Sequence, residues 1–348
     1  MTTDKWTYRW LWSCLVIGGL LLLTGCADKS EDEPLPQPEQ GSPLELRALT
    51  RTSGATPVAG SNGMDIHVFL TSETAPSDGS FTYNSGTGWT SDISIKEERQ
   101  YYLYGYMPKG ITGSISVTAD DLNNDYSKGV DLTMSNMPAI TAADISVIVG
   151  VQRVEAPTET ATVYEGNYGY RSGIKGKNYV NLLMAHLYSK LELQFQIDEA
   201  YSQLRSIHLK NVELSYTGKT VNATVNIRKG HGIGSPTFSE TGSSSEQKVT
   251  MLTGGNLELD TQTKTAAIEA YCAPGILTTG TTLTIKSTYE VKDKKNNSLG
   301  VRSAVNKLKI TASDLLPGQK NTVTLTVKPT YLYILSDEDL DNPTITIN

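Results

Sequence analysis

From residue 44 onward, apolar and polar positions alternate in short runs. Leu44-Glu45-Leu46-Arg47-Ala48-Leu49 opens the series, and Met64-Asp65-Ile66-His67-Val68-Phe69-Leu70 repeats the period. A period of two places successive side chains on opposite faces of a strand, so each run predicts a half-buried β-strand. Gln100–Met107, which carries Tyr101, Tyr102, Leu103, Tyr104 and Tyr106, predicts an aromatic strand closed by Pro108-Lys109-Gly110. The cleanest alternation is Lys190-Leu191-Glu192-Leu193-Gln194-Phe195-Gln196-Ile197. Further strands are expected at 114–118, 144–149, 180–183, 206–216, 221–227, 248–252, 265–271, 281–291, 307–310 and 321–327. Turn signals recur between them at Gly86-Thr87-Gly88, Thr217-Gly218-Lys219, Pro274-Gly275, Lys295-Asn296-Asn297 and Pro317-Gly318. No stretch has a sustained helical period; Thr311–Leu316 reads as one turn. Strands without interposed helices predict an all-β fold of antiparallel sandwiches. Two sets of strands predict two serial domains, 44–185 and 186–328.

The two ends read differently. Lys5 and Arg9 precede an apolar core from about Leu11 to Leu23, which is short for a bilayer span of roughly 20 residues and suits a secretion signal. Leu23-Thr24-Gly25-Cys26 resembles a bacterial lipobox, which makes 1–25 the signal peptide and Cys26 the lipid-bearing first residue. Residues 26–43, with Asp28, Glu31, Asp32, Glu33, Pro34, Pro36 and Pro38, read as an acidic, proline-rich tether. At the C-terminus, residues 329–348 add two strand-like pieces: Tyr331-Leu332-Tyr333-Ile334-Leu335 and Thr344-Ile345-Thr346-Ile347-Asn348. Asp337-Glu338-Asp339-Leu340-Asp341-Asn342 between them begins like a calcium loop. Pro343 and the Asn at position twelve, Asn348, depart from that pattern, so it reads as a solvated turn. A two-strand ribbon with no place in its own sheet is a pairing hazard unless something accepts it. Strand addition to a neighbouring molecule is one such acceptor.

Composition narrows the function. The 348 residues carry 30 Lys and Arg against 37 Asp and Glu, a net charge of −7, which argues against a nucleic-acid partner. Of three cysteines, Cys14 lies in the leader and Cys26 is the expected lipid site, so Cys272 has no partner for an internal disulfide. Its strand context reads as a small buried apolar residue. His67, His186, His208 and His231 stand apart without metal-ligand spacing, and no nucleophile motif or phosphate loop is present. No metal, cofactor or enzymatic activity is expected. Gly230-His231-Gly232-Ile233-Gly234 lacks a helix to receive a phosphate and reads as a mobile loop. The 18 tyrosines against 4 Phe and 4 Trp suit strand faces with a wet edge. Tyr168 and Tyr170, in a glycine-rich segment, are candidate contacts for a sugar.

The lipobox, the early strand flanked by Arg47 and Arg51, the serial β-domains, His186 leading into the second domain, and the closing Pro317-Gly318-Gln319-Lys320-Asn321-Thr322-Val323-Thr324-Leu325-Thr326-Val327 together resemble the fimbrillin family of Bacteroidota, the type V pilins. The resemblance implies two transthyretin-like sandwich domains, export as a lipoprotein on Cys26, cutting after Arg47 or Arg51, and a head-to-tail polymer. It makes residues 331–335 and 344–348 the donor strands. The implied place is the outer membrane surface and the fimbrium, and the implied partners are other pilin subunits. A free terminal ribbon favours a stalk role. A tip adhesin or surface lipoprotein binding a glycan or protein is the alternative.

Overall fold

The computed structural model describes residues 41–52, 58–72, 76–118, 125–159, 161–174, 177–278, 280–310 and 315–327. The leader, Cys26, most of the tether, the C-terminal ribbon, the acidic turn 337–342 and most of the 311–316 turn lie outside the described residues. In chain order the strands are β1 (Ser42–Pro43), β2 (Glu45–Arg51), β3 (Asp65–Thr71), β4 (Ser77–Asn84), β5 (Gly88–Ser91), β6 (Ser94–Ile95), β7 (Gln100–Met107), β8 (Thr112–Val117), β9 (Gly129–Met137), β10 (Ile140–Thr141), β11 (Ser146–Val154), β12 (Gly169–Arg171) and β13 (Tyr179–His186). They continue with β14 (Ser189–Ile197), helix α1 (Glu199–Leu204), β15 (Arg205–Arg228), β16 (Thr237–Leu252), β17 (Leu257–Leu259), β18 (Thr265–Cys272), β19 (Thr282–Asp293), β20 (Ser298–Lys309) and β21 (Lys320–Val327).

The chain is all-β, as the alternation predicts. One sheet runs β2-β13-β11-β7-β3-β4-β5, with β12 also on β7. A second runs β20-β19-β15-β9-β8, with β16 and β17 added to β15, and a third runs β10-β18-β14-β21. Most pairs are antiparallel. β2 lies parallel to β13, and β21 parallel to β14. Parallel neighbours need a long crossover, and here the body of the chain between them serves.

Burial follows the pleat. Tyr101 and Leu103 of β7 and Ile148 and Val151 of β11 enter one apolar cluster with Leu46, Val68 and Leu182. Tyr104, Tyr106, Val147 and Val149 enter a larger one with Leu132, Leu193, Leu214 and Ile285. These strands are covered on both faces, which is why 146–151 reads as a nearly unbroken apolar run. β8 and β9 hydrogen-bond into the sheet of β15, and β10 pairs with β18. The expected domains 44–185 and 186–328 are thus joined by ladders as well as by side chains.

Three local readings change. Thr217-Gly218-Lys219 is not a turn: β15 passes through it, with a register shift between Gly218 and Thr220. The Gly230–Gly234 segment is anchored, since Gly230 N donates to Gly166 O at 2.9 Å, Gly234 N donates to Asn226 O at 3.1 Å and Ile233 bridges to Ile227. His186 closes β13 rather than opening the next strand.

Candidate functional site

The site is built around β2. Leu44 just before it, and Leu46 and Leu49 within it, are 0%, 3% and 1% exposed. They pack into the cluster that holds Val180, Leu182 and Met184 of β13. Burying a leucine side chain stabilises by about 1.5–3 kcal/mol, so these three anchor the segment. β2 ends its sheet order, with β13 as its ladder partner.

Strict alternation from Leu44 and Leu46 would bury Ala48, yet Leu49 is the buried residue. The cause is a bulge. Leu46 pairs with Val180 and Ala48 with Asn181, which leaves Arg47 as the extra residue. One inserted residue reverses the parity of the strand beyond it. Arg47 is turned outward, 2.5 Å from Glu45 Oε2 and with its guanidinium 4.4 Å from the centre of the Tyr179 ring.

Arg51 is held differently. Its Nη1 donates to Asp144 Oδ2 at 2.6 Å and to Ser146 Oγ at 2.7 Å. His186 Nδ1 lies 2.8 Å from Asp144 Oδ1. The Arg51, Asp144 and His186 side chains are 12%, 11% and 21% exposed. Asp144 therefore ties the end of β2 to the end of β13 through one carboxylate. Burial pushes the nearby Tyr271 hydroxyl up to about 12, with Asp144 and Glu269 adding to the shift and Arg51 opposing it. At the other end, Asn178 Nδ2 donates to Ser42 Oγ at 2.7 Å, and Glu45 N donates to Asn178 O at 2.8 Å. Asp144 and Asn178 were not among the residues singled out in the sequence. Nothing in their spacing marks them, because the contacts join segments far apart along the chain.

The expected sugar platform is corrected. Tyr168 and Tyr170 are 2% and 0% exposed, and Tyr168 stacks on Tyr104 with ring centroids 5.1 Å apart. β12 pairs with the aromatic strand β7, which draws both rings into the interior. Tyr168 also borders a polar cup of about 320 Å³, with Tyr102, Asn167, Arg171 and Lys229 among its walls. Cys272 is buried and free, and burial raises its thiol well above the ordinary range. Among the described residues, no group of three His, Cys, Asp or Glu side chains is placed to hold a metal ion, and no helix is long and apolar enough to cross a membrane.

The fold and site define an all-β chain whose first long strand is a parallel, edge-bound addition to its sheet. No protein-family model matches the chain, and no curated protein matches it. Among solved structures it is similar to a protein ascribed to cell adhesion from Bacteroides uniformis, at 13% identity over 85% of this chain and 95% of that one, with a TM-score of 0.38. It is also similar to a fimbrial protein from Bacteroides vulgatus, at 12% identity over 83% and 95% of the two chains and a TM-score of 0.38. A third similar structure is ascribed to cell adhesion from Bacteroides fragilis, at 9% identity over 83% and 94% and a TM-score of 0.38.

Proposed function

We propose that the chain is a structural subunit of a surface fimbria, most simply a stalk subunit. In this reading it is exported as a lipoprotein on Cys26, cut after Arg47 or Arg51, and polymerised when residues 331–335 and 344–348 of one subunit enter the place that another's N-terminal strand vacates. One observation carries the reading. β2 binds through a single parallel ladder at a sheet end and fills the cluster with Leu44, Leu46 and Leu49. Its departure, with β1 attached, breaks only the two-residue β1–β6 ladder besides, and it leaves both an unpaired edge on β13 and an apolar slot. An open edge of that kind accepts a strand from another chain, with backbone bonds giving affinity and alternate side chains giving fit. Head-to-tail contacts of this type extend without closing.

The test is treatment of the full-length chain with an arginine-specific endoprotease, with size followed by light scattering and electron microscopy. Loss of the segment before Ala48 or Thr52, followed by fibres, is expected. The same cut on a chain lacking 331–348 should leave monomers. A wild-type chain that stays monomeric after the cut, or a shortened chain that still grows fibres, overturns the reading.

A second reading, a surface binding protein, draws on the polar cup. It combines the Tyr102 ring, Asn167 and the cations Arg171 and Lys229. That is a mixture suited to an acidic saccharide.

A further inference from the structure

We propose that the N-terminal strand is cut after Arg47, and that Asp144 is the specificity-determining residue that shields Arg51. This rests on the pilin reading above and decides between its two arginines. An arginine-specific protease must take the guanidinium into its own pocket and lay the neighbouring backbone into its cleft. Both must first come away from the substrate. Cleavage then adds water across one peptide bond: the arginine keeps the new carboxylate, and the next residue becomes a free amine.

At Arg47 the guanidinium is lightly held, while the backbone beside it stays anchored by Leu46 and Leu49. The residue is the extra one in a bulge, skipped by the register that pairs Leu46 with Val180 and Ala48 with Asn181. Bulges weaken pairing locally and turn a side chain outward. Arg47 is exposed and meets Glu45 on its own strand and the face of Tyr179. An exposed pair of this kind is easily exchanged for water or for a protease carboxylate.

At Arg51 both parts are held. The guanidinium reaches Asp144 at 2.6 Å and Ser146 at 2.7 Å, at only 12% side-chain exposure. Arg51 pairs with Met184, and Thr52 N donates to Met184 O at 3.0 Å, so the bond after Arg51 is flanked by ladder contacts on both sides. Withdrawing Arg51 strips a shielded carboxylate of its cation, and that penalty falls on the open state a protease needs. At Arg47 no comparable carboxylate is left behind, since Glu45 is more exposed, at 42% of its side chain.

The choice changes what the cut does. Cleavage after Arg47 frees Leu44 and Leu46 but leaves Ala48–Arg51 on the sheet, with Arg51 still clasped by Asp144. The vacated slot is then the part of the groove beside Tyr179 and Val180.

The test uses the full-length chain in detergent, an arginine-specific endoprotease, and mass spectrometry of the new N-termini over time. Wild type is expected to yield Ala48 first, and Arg51→Gln to yield Ala48 at the same rate. In Arg47→Gln, release of the segment should slow about tenfold or more, because cutting at Arg51 waits on a rarer opening. Adding Asp144→Asn to Arg47→Gln should restore fast release, now with Thr52 as the new terminus. Thr52 appearing first in wild type, or Arg47→Gln releasing its segment as fast as wild type, overturns the proposal; neither outcome depends on how the Asp144 variant folds. If Thr52 appears first and fibres still grow, the pilin reading stands and this inference falls. If neither bond is cut in the native chain, both fall.

Discussion

His67 shows how single residues carry pH into this fold. Its ring lies edge-on to Phe69 at 4.6 Å and stacked on Tyr106 at 5.0 Å, with the side chain 16% exposed. Burial lowers its basicity below the ordinary imidazole value; Asp78, 3.5 Å away, pulls the other way, and Lys109 adds to the lowering. The sign follows from proton counts. In the unfolded chain the ring titrates near about 6.5, while in the folded chain it stays neutral to lower pH. Between the two values the unfolded state binds more protons, so stability is fully present above the unfolded value and is lost as pH falls toward the folded one. His67→Phe keeps a flat ring and removes the titration. Its melting temperature should therefore fall less than that of wild type between about pH 7.5 and about pH 5.5. An equal fall in both, measured by circular dichroism, would show that His67 is not the acid-sensitive group. The same logic of shielded charge separates the two arginines: the mostly buried Asp144 carboxylate occupies Arg51, where Arg47 meets only the half-buried Glu45 and Tyr179.

At the scale of elements, β15 is the organising strand: β16, β17, β19 and β9 all pair with it. It stays one strand through Gly218 because glycine leaves room there. A Cβ at Gly218 would collide with the Tyr216 ring. Gly218→Val should therefore cost about 1–3 kcal/mol by overpacking, read as a shift in the denaturation midpoint. An exposed-turn position would tolerate it with little change, so an unshifted midpoint would count against this account. The sequence places a turn here because Thr-Gly-Lys has turn chemistry, and the ring that covers the glycine lies only two residues away. β14 was legible, since one face is apolar and the other wet, giving clean alternation. The turns at Gly88, Gly275, Asn296 and Gly318 were legible as well, because each takes the positive φ that the local residues favour. β16 was visible only at its end. Its Ser-, Thr- and Glu-rich stretch is exposed on both faces, and its ladder with β15 supplies the order that its side chains do not. Helix α1 was missed for a related reason: six residues are too few for a period, and the signal was its cap, Asp198, which accepts from Tyr201 N at 3.0 Å. The site was half legible. Leu44, Leu46, Arg47 and Arg51 stand in one short string. The Asp144 and Asn178 contacts, and the parallel pairing itself, exist only once distant segments meet.

Over the whole molecule, the first and last long strands of the described chain share one mode of attachment. β2 and β21 each lie parallel on the end of a sheet, and each sends apolar side chains inward, Leu46 and Leu49 from one and Val323, Leu325 and Val327 from the other. They differ in what surrounds them. β21 is clasped by Lys320 to Glu192 at 2.7 Å, and that hydrogen bond lowers the Glu192 carboxyl below its ordinary value. β2 carries a bulge in its middle and an arginine at it. The pilin reading assigns β2 to be lost and a neighbour's ribbon to replace it, which makes occupancy of the slot a thermodynamic quantity. A ligand that binds only the folded, vacated chain raises its stability with concentration, by about 2.7 kcal/mol at a hundred times its dissociation constant. A synthetic peptide of residues 329–348 should therefore raise the melting temperature of the protease-cut chain, measured at concentrations where it is still monomeric. The uncut chain should not respond, because Leu44 and Leu46 already fill the slot. A peptide with Ile345→Asp and Ile347→Asp should fail on both, since a charge cannot replace an apolar side chain in that cluster. If the cut and uncut chains respond alike, the peptide binds elsewhere, and strand replacement is not how these subunits join.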